Sequence, residues 1–77
     1  MPKIAPLPAL KLIKILEKKG FRTARQKGSH VVMINARGVR IVVPVHRGKN
    51  VKSSLMRTIL NEACISRDEY FQILDNL

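Results

Sequence analysis

Two imidazoles, His30 and His46, are the side chains of this 77-residue chain suited to moving a proton near neutral pH. Each sits in a short polar setting. In Lys27-Gly28-Ser29-His30 the glycine lets backbone approach a ligand, and the lysine and serine offer donors to phosphate oxygens. Pro44-Val45-His46 reads as a loop, where the second imidazole is suited to a supporting or structural role. Taken alone, Gly-Ser-His does not separate a catalyst from a hydrogen-bonded or surface histidine at the start of a strand.

Other chemistries are poorly served. Magnesium-dependent nucleases hold their ions with clustered carboxylates, but the five acidic residues here are scattered along predicted helices. No serine stands in the glycine-flanked turn of a nucleophile triad. Cys64 is the only cysteine, which excludes an internal disulfide and any multi-cysteine zinc or iron–sulfur site. No metal and no cofactor is therefore expected. RNA carries its own nucleophile, the 2′-hydroxyl beside each phosphate, so an enzyme acting on it needs only proton transfer and positive charge on the developing oxyanions. DNA lacks that hydroxyl, and the same equipment does not suffice for it.

The positive charge is present in excess. The formal net charge is +10, and residues 18–61 contain eleven lysines and arginines without one aspartate or glutamate. A phosphate backbone is the commonest polyanion able to use such a block, and an acidic protein is the other. Mixed signs would serve solubility alone. Membrane attachment is not expected: no apolar run approaches the roughly 20 residues of a span, and no aromatic-rich amphipathic helix accompanies the charge. Residues 1–10 lack the apolar core and cleavage site of a secretory signal, so the expected compartment is the cytoplasm.

The elements that position these residues follow from pattern. Pro6 and Pro8 punctuate a short lead, and Pro8 suits the first turn of a helix expected over residues 8–19. Its apolar stripe reads Ala9, Leu12, Ile13 and Leu16, and Gly20 is placed to end it. Strands are expected over residues 21–27, 30–35 and 39–43, with turns at Lys27-Gly28-Ser29 and Asn35-Ala36-Arg37-Gly38. A polar connection over residues 45–52 leads to a helix over residues 54–63 with Leu55, Met56, Ile59, Leu60 and Ala63 inside. Ser66-Arg67-Asp68-Glu69 is a capping box opening a last helix with Tyr70, Phe71, Ile73, Leu74 and Leu77. The expected fold is α+β in two layers, order αβββαα, a three-stranded antiparallel sheet with helices on one face, in a single domain over residues 1–77. At this size an ordinary core leaves a net stability of about 3 to 5 kcal/mol.

The run Gly20-Phe21, Arg25-Gln26-Lys27-Gly28-Ser29-His30, Val43-Pro44-Val45-His46 and Ile59-Leu60 resembles the HicA family of mRNA interferase toxins over nearly the whole chain. The resemblance implies a fold similar to the double-stranded-RNA-binding domain, a single catalytic histidine at His30, and cleavage of mRNA independent of translation. It further implies a HicB-type antitoxin that covers the active surface and contacts operator DNA, so the toxin itself meets that DNA only indirectly. Arg25, Lys27, Gly28, Ser29 and Lys49 are the expected RNA-binding positions, and His46 a supporting one. The chain departs from the family pattern at Ser53-Ser54, where a Gly-Thr pair is usual, and at Cys64, where a glycine often ends the helix. Both positions bear on backbone geometry rather than proton transfer. A non-catalytic RNA-binding module of the same fold is the alternative reading. A DNA-binding helix pair over residues 54–63 and 66–77 ranks last, because Asp68, Glu69 and Asp75 would repel phosphate.

Overall fold

The computed structural model describes residues 3–77. Met1 and Pro2, which begin the expected lead and domain, lie outside the described residues. The element order is β1 (Leu7–Pro8), α1 (Ala9–Lys18), β2 (Arg22–Lys27), β3 (His30–Ile34), β4 (Arg40–Pro44), β5 (Asn50–Val51), α2 (Ser53–Glu62) and α3 (Arg67–Asp75). With the two-residue strands set aside this is the expected αβββαα order, and the sheet β2-β3-β4 is an antiparallel meander. The fold is the α+β, double-stranded-RNA-binding-domain-like arrangement.

α1 buries Ala9, Leu12, Ile15 and Leu16. Ile13, expected in that stripe, is half-buried at its margin. At about 100° per residue Ile13 and Ile15 lie about equally far to either side of the Leu12–Leu16 pair, so the packing around the helix rather than its period gives Ile15 the inner place. The helix stops as expected. Gly20, at φ +91°, donates its amide to Glu17 O, and the amide of Phe21 reaches back to Leu16 O at 3.0 Å. This is a Schellman ending, in which the residue after the glycine packs back on the last helical turn. Phe21 is buried there, and its committed amide is why β2 begins at Arg22 rather than Phe21.

Asn35 explains the start of β4. Its Oδ1 accepts from the amides of Arg37 and Val39 at 3.0 and 2.9 Å, holding Val39 in the turn. Along β3 and β4, Val31, Met33, Ile41 and Val43 point into the core, and α1 and α2 lie against β4 while α3 lies against α1. All the helices cover one face, as expected.

Two features were not expected. β1 pairs antiparallel with β5, Leu7 opposite Val51 and Pro8 opposite Asn50, so the lead and the polar connection meet. Pro8 accordingly stands just before the helix as its capping residue. In the last helix Tyr70 alone is fully buried, with Phe71 edge-on to it at 5.0 Å; Leu77 lies beyond the end of α3 and is exposed rather than inside. The capping box is present in both directions: Glu69 N donates to Ser66 Oγ at 3.1 Å, and Ser66 N to Glu69 Oε1 at 3.3 Å. Glu69 also pairs with Lys19, tying the end of α1 to the start of α3. No helix among the described residues is long and apolar enough to cross a membrane.

Candidate active face of the sheet

In an antiparallel ladder, residues directly opposite one another project from the same face. The register therefore sorts the uncovered face into three rows: Lys27, His30 and Pro44; Arg25, Val32 and Val42; Arg22, Ile34 and Arg40. His30 opens the central strand with Lys27 directly across from it. Arg22, Arg25, Lys27, His30 and Arg40 are all exposed, and their side chains make no ion pair or hydrogen bond among the described residues. Val32 is nearly covered between Arg25 and Val42, while Val42 is 43% exposed. The face is a cationic rim around an aliphatic middle.

The turn before His30 has a specific geometry. Lys27 pairs with His30, so Gly28 and Ser29 form a two-residue hairpin loop. Gly28 has φ +58° at the first central position, while Ser29 is not left-handed, which is the pattern of a type II′ turn that suits the right-handed twist of the flanking strands. Open space surrounds the place a Gly28 side chain would occupy, so backbone conformation rather than crowding demands glycine. Gln26 Nε2 donates to Gly28 O across the turn at 3.4 Å.

Arg25, Lys27 and His30 thus share one surface, with Gly28 and Ser29 in the turn beside it. Lys49 and His46 lie outside the three strands, in the connection after β4, where a hollow brings both beside Pro44 of the His30 row. They also line a groove of about 410 Å³ between the turn at residues 46–49 and the first residues of α1, with Pro8, Ala9 and Leu10 on its other wall. The two regions are joined through backbone: the Val45 amide donates to Ser29 O at 2.6 Å, and the Lys49 amide to His46 O at 3.1 Å closes the turn. Arg22 and Arg40 belong to the face and were not singled out in the sequence. The alternation Arg40-Val42-Pro44 could have signalled Arg40, but Arg22 is brought in by an irregularity in β2 that carries no sequence mark.

The carboxylates are confined to one layer. All five acidic residues lie on helices, Glu17 on α1, Glu62 on α2 and Asp68, Glu69 and Asp75 on α3. Glu69 is held below the usual carboxylate range, first by its hydrogen bond from Lys19 and then by the Ser66 amide. Among the described residues no three His, Cys, Asp or Glu side chains converge on a point. A face with unpaired cations around an imidazole, and with the carboxylates on the opposite layer, is chemically suited to a phosphodiester.

No curated protein matches the chain. The model of the family described as the HicA toxin of bacterial toxin-antitoxin matches residues 10–65, a span that runs from α1 through the His30 hairpin to the turn after α2. The chain therefore belongs to the HicA toxin family, and it is the toxin member of a toxin–antitoxin system.

Proposed function

We propose that the chain is an endoribonuclease that cleaves mRNA without a metal ion, with His30 as its proton-transfer residue. The observation that carries this reading is the pairing of His30 with Lys27 across the hairpin, on an exposed face whose other charges are all positive. In the proposed step His30 takes the proton of a ribose 2′-hydroxyl. The 2′-oxygen bonds to the adjacent phosphorus, the bond from phosphorus to the 5′-oxygen breaks, and that oxygen leaves with a proton from solvent. Lys27, and Arg25 one row away, neutralise the charge that builds on the phosphoryl oxygens. Gly28 and Ser29 hold the geometry of the turn. Lys49 and His46, in the neighbouring groove, support RNA outside the cleavage point.

Inhibition follows from occlusion by a HicB-type antitoxin, an acidic partner matched to the cationic face, in the cytoplasm where mRNA is found. Operator DNA is then reached through the antitoxin. The discriminating assay is incubation of purified protein with RNA in excess chelator. Cleavage there supports the reading, and a requirement for added magnesium contradicts it. Salt-sensitive RNA binding with no cleavage under any condition would instead identify a non-catalytic RNA-binding module.

A further inference from the structure

β2 contains a register shift between Thr23 and Arg25, where Ala24 is the extra residue. Side chains alternate along a regular strand, so without the shift Arg22 would face away from Arg25 and Lys27. With it, Arg22 lies opposite Ile34, Arg25 opposite Val32 and Lys27 opposite His30, three residues of β3 that share the uncovered face. The bulge therefore collects three cations into one line along the free edge of the sheet, ending beside the imidazole.

We infer that this line is a track for single-stranded RNA, in which Arg22, Arg25 and Lys27 bind successive phosphates and the bulge at Ala24 sets their alignment. The inference rests on the ribonuclease reading and assigns a binding role to Arg22 that the sequence motif does not include. Residues two apart on one face of a strand lie about 7 Å from each other, a spacing of the same order as that between neighbouring phosphates of an extended strand. Arg40, in the same row as Arg22 and across Ile34, flanks the far end. A single strand fits the chemistry better than a duplex, because attack by the 2′-oxygen needs it in line with the departing 5′-oxygen, and A-form stacking holds the ribose away from that arrangement.

The rest of the face says how affinity is obtained. Single-strand binders usually stack bases on aromatic rings. Here Phe21 and Tyr70 are buried and Phe71 packs on Tyr70 in the helical layer, so the bases meet the exposed Val42 and the half-buried Ile34 instead. Such a surface has no hydrogen-bonding code to read. Binding must then come chiefly from charge, with little preference among bases and a steep dependence on salt.

The test uses the full chain and a 2′-O-methyl oligouridine, which cannot be cleaved, with affinity measured against salt concentration. The most informative variant is the exchange Arg22→Thr with Thr23→Arg, which keeps composition and net charge but moves the cation to the other face. The expected result is a several-fold loss of affinity and a fall in the log–log salt slope of about 0.7, one single-strand phosphate contact. Arg22→Gln should show the same change, and Lys14→Gln, on the exposed side of α1, should show a smaller one. Thermal melts establish that each variant is folded, and Arg22→Gln alone tests the track should the exchange not fold. An unchanged slope in both Arg22 variants overturns the track, as does tighter binding to duplex RNA of the same length. An effect of Arg22 confined to binding of an acidic protein partner overturns it too. Failure of the wild type to cut unmodified RNA would remove the ribonuclease reading instead, whatever the salt slopes show.

Discussion

The two faces of the sheet are built from alternate residues of the same strands and have opposite duties. On β3, Val31 and Met33 point under the helices, while His30, Val32 and Ile34 point outward, and β4 divides in the same way between Ile41 and Val43 inside and Arg40 and Val42 outside. One face excludes water and holds the fold; the other keeps an imidazole and four cations in solvent. Because strand side chains alternate, neighbouring residues can be substituted with nearly independent consequences.

The largest effect expected from that division is on catalysis. His30→Ala should lower RNA cleavage about 10²- to 10⁴-fold, the range general acid–base groups contribute, and leave the thermal midpoint almost unmoved because the side chain is exposed and unpartnered. Loss of folding stability in this variant would break the separation of the faces. The mirror experiment is Met33→Ala, three residues along, where the side chain is fully buried. Truncation there should cost about 2 to 5 kcal/mol in chemical denaturation, most of the stability a domain of this size has, while RNA affinity per folded molecule is retained at low temperature.

A smaller effect sharpens the comparison within the covered layer. α2 ends as α1 does: the Ile65 amide reaches Leu60 O at 2.9 Å, and the Cys64 amide reaches Asn61 O at 3.1 Å. The left-handed position is Gly20 at the end of α1 but Cys64, at φ +58°, at the end of α2. Cys64→Gly should therefore raise stability by about 0.5 to 1 kcal/mol, the steric relief exceeding the extra chain entropy of glycine. Equal or lower stability would show that the cysteine side chain compensates.

The smallest effect concerns pH. Glu69 is the carboxylate whose pKa is lowered by folding, through Lys19 and the Ser66 amide. Its contribution is present above the ordinary value of 4.5 and is lost as pH falls through the lower folded value. Glu69→Gln should flatten the acid limb of the stability curve, and leave RNA cleavage near neutrality unchanged, since this residue is on the helical layer.

Features that depend on near neighbours were legible before any folding: the helices, the Gly20 stop, the capping box from Ser66 to Glu69, the order of the three strands, and the hairpin turn that places His30 beside Lys27. These rest on backbone preference and short-range hydrogen bonds, which a few consecutive residues specify. Contacts between distant segments settle that Ile15 rather than Ile13 is buried, that β1 meets β5, that Lys49 and His46 share a groove with the start of α1, and that Arg22 and Arg40 join the cationic face. Each depends on how distant segments pair or pack, and for Arg22 on a single inserted residue in the ladder. One position of slip reverses the face a side chain occupies, and nothing local to Arg22 records that it has happened.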